Sequence, residues 1–279
     1  MLKVANSTCN RNSTNSLTDS LGGMEEFDRG QNPVVEPRDP DSTENCVSSM
    51  FTSIDKKLVE TFIGLQQSQL WQVPDGKGID QELIGFVGRE WNRGILFYNP
   101  YFKEASRSAF SSMPHTTEGR IRRALRRLQV ELSNQGKAAL HDYQILGGDV
   151  DIVRTLQPDP ATYAVGAFWS MLGQAGDVFS YLGALYAMNL VTTWVSEFLS
   201  DKMMQRDLAT DSLALPLMWS TNSRRRSLVA RAIVHRMAMK HPISWELIIL
   251  GAERLLQVYP VPICNEIEQR ADRLYGGFA

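Results

Sequence analysis

The chain has 279 residues, of which 43% are hydrophobic and 22% charged, with a formal net charge of −2. These are ordinary values for a globular protein, and they lack the basic excess of a general nucleic-acid binder. Cys9, Cys46 and Cys264 stand far apart, so neither a disulfide framework nor a CxxC-type zinc site is written into the sequence. The N-terminal residues have no apolar run of the secretory kind. The longest apolar region, "YLGALYAMNLVTTWV", is broken by Asn189, Thr192 and Thr193, short of the roughly eighteen apolar residues of a membrane span. The expectation is a cytoplasmic chain with reduced thiols and no membrane span.

Residues 1–48 are rich in Ser, Thr, Asn, Asp, Gly and Pro, and so few large apolar side chains cannot offset the entropy of ordering. They are predicted to be a disordered extension, leaving residues 49–279 as one domain. Leu58, Phe62, Leu65 and Leu70 then recur at helical spacing. The next apolar stretch, from Ile79 to Phe110, is predicted to be interrupted at Asn99-Pro100, because the residue before proline avoids the helical region. Ile121, Leu125, Leu128 and Leu132 form one stripe of an amphipathic helix. The segments "ATYAVGAFWSML" and "DVFSYLGALYAMNLVTTWVSEFLSDKMM" are apolar on most faces and belong at the centre. "NSRRRSLVARAIVHRMAMKH" ends at Pro242, and two more helical segments close the chain. No alternating run bounded by hairpin turns occurs, so the fold class is an all-α bundle of roughly eight to eleven helices.

In a bundle, sites are made by polar side chains projecting inward from facing helices. Glu131 and His141 are ten residues apart with Gly136 between them. On one straight helix they would lie roughly 80° apart, whereas a turn at Gly136 would let them converge. They read either as a carboxylate–imidazole metal pair or as two polar residues of a helical hairpin. His235 shares a largely apolar face with Leu228 and Met239, His241 sits at a helix end, and His115 lies in a loop. Asn189, Thr193 and Glu197 follow at steps of four, so their oxygens share one side of a helix and could hold magnesium. An interhelical hydrogen-bond network is the other reading of that set. Arg224 and its neighbours in "SRRRS" would oppose the dipole of a helix beginning there unless an anion were bound.

Taken in order, residues from about 54 to 275 resemble the haem-oxygenase-like superfamily, which includes the TenA and PqqC types and non-haem di-iron oxidases. The resemblance rests on "GIDQELIGFVGREWNRGILFYNPYF", on "RRALRRLQVELSNQGKAALHDYQILGG", on "YLGALYAMN" and on "VHRMAMKH". It implies a haem-oxygenase-like helical bundle in which Glu131, His141 and His235 hold non-haem iron, with Glu197, His241 or Glu104 completing the shell. Asn189 stands where the core-helix glutamate of that pattern belongs, Met239 replaces its aspartate and Pro242 its second histidine. "NLVTTWVSE" also resembles the NSE magnesium motif of class I terpene synthases, with Leu190 in place of its aspartate and no DDxxD motif in the chain. That resemblance implies Mg2+ on Asn189, Thr193 and Glu197, with Arg231 and Arg224 binding diphosphate.

Three functions follow. The first is a secondary-metabolite oxidase or oxygenase using non-haem iron. The second is a magnesium-dependent isoprenoid diphosphate synthase or cyclase. The third is a metal-free ligand-binding or accessory protein. All three take a small apolar or amphipathic metabolite, none takes nucleic acid, and a homodimer is compatible with each.

Overall fold

The computed structural model describes residues 40–68, 81–153, 155–204 and 213–275. Among these the chain forms ten α-helices and no strand. They are α1 (Pro40–Gln67), α2 (Gln81–Ser111), α3 (Gly119–Ser133), α4 (Gln135–Ile145), α5 (Val150–Val153) and α6 (Pro160–Ala175). There follow α7 (Val178–Met204), α8 (Ala214–Lys240), a 3-10 turn (Pro242–Ser244), α9 (Trp245–Val258) and α10 (Val261–Tyr275).

Two sequence expectations change. Helix α1 starts at Pro40, a residue whose fixed φ and missing N–H suit the first helical position. Val47 and Met50 are both fully buried, so residues 40–48 are core helix and not part of an extension. Residues 1–39 lie outside the described residues.

Helix α2 runs straight through Pro100 without interruption. A proline inside a helix costs about 3 kcal/mol. Against that, Ile95, Tyr98, Phe102, Ala105 and Ala109 on the same helix are all buried, and a large apolar side chain contributes about 1.5–3 kcal/mol each on burial. Packing on both sides of the proline outweighs the local preference, and the ring stays on the exposed face.

Helix α7 is central. Every residue from Tyr181 to Asn189 is buried, so this stretch of the helix has no polar face. The stretch Val178–Val195 is long and apolar enough to cross a membrane by composition, yet 78% of it is buried within the bundle. Trp245–Tyr275 passes the same test at 50% buried, but it is divided at Tyr259 into α9 and α10.

Helices α7 and α9 touch backbone to backbone. A Cβ at Gly183 would overlap the carbonyl oxygen of Ile248, and one at Gly251 would overlap that of Ser180. Glycine is used here because only a residue without Cβ permits such an approach. Gly183→Ala or Gly251→Ala is therefore expected to lower stability by about 3 kcal/mol, the upper end of ordinary overpacking. Urea denaturation of either variant measures this, and an unchanged midpoint would contradict the crossing.

Candidate functional site

Continuity of α2 through Pro100 creates a cleft that a broken helix would lack. Arg93, Leu96, Phe97, Pro100 and Tyr101 recur at helical spacing and all face it. Leu140 of α4 and Val153 of α5 form the opposite wall, with Leu156 and Pro158 of the following connection. Thr162 of α6 closes the third side. The cleft has a volume of about 380 Å³, within the range of small-molecule sites. Gly166 of α6 gives the Phe97 ring its place, because a Cβ there would stand 2.9 Å from it. Phe97 packs against Tyr101 at 5.6 Å and Tyr163 at 6.2 Å between ring centroids. Tyr101, a lining residue, remains 39% exposed, so the mouth is aromatic.

A closed ring of charges stands beside the cleft. Arg93 pairs with Asp159 and, at 3.2 Å, with Glu90. Arg270 of α10 reaches the same two carboxylates at 2.8 Å and 2.5 Å respectively. Glu266, also of α10, accepts the Ala161 N–H at 2.9 Å, so an acid satisfies one of the orphan donors at the start of α6. Burial pushes the Glu90 carboxyl above the usual range, against the pull of Arg93 and Arg270. Burial likewise raises Glu266, against the Ala161 N–H. Two guanidiniums and two carboxylates compensate one another, so Arg93 reaches the cleft with its charge already matched.

The residues expected to hold iron are not gathered. Glu131 is exposed on α3 and His141 is exposed on α4. The helices meet at Asn134, which keeps near-helical dihedrals (φ −79°, ψ −9°), so Gly136 makes no turn. That position is glycine because a Cβ would overlap the amide of Asn99. His235 stacks on Phe51 with ring centroids 6.4 Å apart. His241 caps the end of α8 and packs against Phe179. Glu197 is exposed, and Glu104 is an exposed partner of Arg107 at 3.0 Å. Among the described residues no three His, Cys, Asp or Glu side chains converge. Non-haem iron needs imidazole and carboxylate donors around one open position, and this donor set does not fit it.

The magnesium set is dispersed in the same way. Asn189 is buried, Glu197 is exposed, and the Thr193 hydroxyl is turned back onto the Asn189 carbonyl at 2.9 Å. A hydroxyl donated to its own helix is not directed at a shared cation. Arg231 donates to the Tyr186 hydroxyl at 3.1 Å, lies 3.6 Å from Asp55 and covers the Phe51 ring. It is thus a clasp between helices, not a free anion ligand. The "SRRRS" run falls ten residues into α8 and not at a helix start. Arg226 there is buried and donates to the Met218 carbonyl at 3.0 Å, while the Arg224 side chain lies outside the described residues. Phe168, Trp169 and Tyr186 near this set are buried in the core, and Trp194 packs on Phe62 with ring centroids 5.2 Å apart.

Sequence reasoning passed over Asp142. Its carboxylate accepts the Ala214 N–H at 2.6 Å and the Leu215 N–H at 2.8 Å, so α4 supplies the missing cap for α8. His141 Nδ1 lies 3.1 Å from the same carboxylate. The signal in the sequence was slight: an acid adjacent to the histidine, with no capping residue of its own at the start of α8. Arg93, Pro100 and Tyr101 were hidden by the predicted helix break, although their spacing is plain once the helix is continuous.

A buried hydroxyl pair is also absent from the sequence reading. Tyr181 meets the Ser106 hydroxyl at 2.7 Å, and Gln129 donates to Tyr181 at 3.4 Å. Burial pushes the Tyr181 phenol up to about 12, from 10.0. Unfolding lets this phenol ionise sooner, so the unfolded state binds fewer protons in that window. Stability therefore falls as pH rises from 10.0 to about 12, at about 1.4 kcal/mol per pH unit for this group. Alkaline denaturation should show this slope, and Tyr181→Phe should reduce it. Asp142→Ala is expected to cost about 1–2 kcal/mol through loss of a helix cap. His141→Ala, at an exposed site, should stay within about 0.5 kcal/mol of the parent; thermal denaturation of the two variants separates capping from any role of the imidazole.

No protein-family model and no curated protein matches the sequence. Among solved structures, a domain of unknown function with a heme oxygenase-like fold from Shewanella denitrificans OS217 superposes with a TM-score of 0.61 at 19% identity. The alignment covers 87% of this chain and 97% of that one. Likeness at this identity concerns architecture and leaves chemistry open. The chain adopts a haem-oxygenase-like fold.

Proposed function

We propose that the chain is a metal-independent binding protein that takes a small apolar or amphipathic molecule into the cleft between α2 and α6. The observation that carries the reading is the cleft itself: a formed concavity of about 380 Å³ with aliphatic walls and an aromatic mouth. Such a combination of apolar walls and few polar groups is what small-molecule sites have. Dispersal of the iron and magnesium donors supports the same reading, because the residues the resemblance would use face solvent or pack on rings.

Binding to the folded state alone stabilises it by about 2.7 kcal/mol at a hundredfold excess over Kd, a rise of about 5–10 °C in Tm for a domain of this size. Thermal denaturation against a panel of small apolar and amphipathic molecules should find such rises. Leu156→Arg, which places a charge in the cleft wall, should abolish them. Anaerobic Fe(II) titration should give no stoichiometric binding. One iron per chain, lost in His141→Ala, would overturn the proposal in favour of the iron enzyme.

A further inference from the structure

The cleft-lining face of α2 carries one backbone acceptor outside the helical ladder. Proline has no N–H, so Pro100 cannot donate to the carbonyl of Leu96 four residues earlier. Both residues line the cleft, so the helix face that lacks this ladder bond is the face turned to it. Thr162, on the facing helix, lines the same cleft and is only 6% exposed. Among the described lining residues Arg93 is the one charged side chain, and Glu90 and Asp159 match its charge. The rest of the described lining is aliphatic apart from the Phe97 and Tyr101 rings, with Tyr163 packed on Phe97.

We infer that the cleft selects neutral, planar aromatic molecules that carry an O–H or N–H donor, phenol-like or indole-like in chemistry. The inference rests on the binding reading above. The ring of the ligand lies against Phe97 and Tyr101, where offset or edge contacts between aromatic groups are favourable. Its donor meets the Leu96 carbonyl, and Thr162 accepts or donates alongside. A ligand without the donor would displace water from that carbonyl and leave it unpaired, which is penalised more heavily than a hydrogen bond is rewarded.

Matched pairs test the donor directly. Indole against 1-methylindole, and 2-naphthol against 2-methoxynaphthalene, differ by a methyl group in place of the donated hydrogen. Calorimetric titration of the full chain should show each donor compound binding at least about tenfold more tightly than its methylated partner, the loss expected of one buried acceptor left unpaired. Pro100→Ala restores a backbone N–H to the ladder and occupies the carbonyl, so the ratio should fall below about threefold. Because Pro100 is exposed and alanine is the best helix former, this variant should fold. If the methylated compounds bind equally well and Leu156→Arg abolishes all four, the donor requirement is overturned while the cleft stands. If none of the four binds but another apolar molecule raises Tm in a Leu156-dependent way, the aromatic selection is overturned alone. If nothing binds, both readings fall.

Discussion

Where α7 crosses α9, the two backbones meet with no side chain between them, at Gly183 and Gly251. Close approach puts Ala184, Ala187 and Ala252 wholly inside as well, so small residues form the centre of the crossing and larger ones surround it. Everything else is arranged about that axis. Helix α7 is covered by α8 on one side and by α2 on another, and its tyrosines reach outward to satisfy their hydroxyls: Tyr181 at Ser106, Tyr186 at Arg231. An interior packed to this density responds to added volume by moving elements, not by local give. The position of α2, and with it the cleft on its outer face, is therefore inherited from the crossing.

The cleft also depends on how the start of α6 is held. Asp159 precedes the helix and is gripped by Arg93 and Arg270, while Glu266 takes the Ala161 N–H. Partly buried ion pairs are costly to desolvate, and breaking one by removing a single partner leaves an uncompensated charge. A ring in which each guanidinium meets two carboxylates avoids that condition and ties α2, α6 and α10 together. Its consequence for the site is chemical as well as mechanical. Among the described residues Arg93 is the one cation on the cleft wall, and its charge is matched before any ligand arrives.

Haem-oxygenase-like architecture and haem-oxygenase-like chemistry are separable here, as fold and function are in general. The architecture needs apolar stripes, close helix crossings and short connections, all of which this chain has. Metal chemistry would need several imidazoles and carboxylates on one interior surface. In this chain Glu131 and His141 face outward, His235 serves as a ring partner for Phe51, and Asp142, the acid beside His141, caps α8.

The amino-acid sequence by itself determined the helical class, the central place of α7 and the ends of the later helices, because periodicity of apolar residues is a local property that survives without knowledge of partners. It also determined that Asn189 and Met239 could not serve as the carboxylates of an iron site, since residue type alone decides that. Tertiary structure decided the rest. Pro100 stays within a helix because burial of residues on both sides outweighs a local cost. Residues 40–48 are helix because Val47 and Met50 find a core to enter. Asp142 is a cap because the start of α8, 72 positions away along the chain, is brought to it. Whether a polar side chain faces a neighbour or the solvent depends on the rotation of its helix about its axis, which is fixed by contacts between distant segments, and no spacing within one segment contains that information.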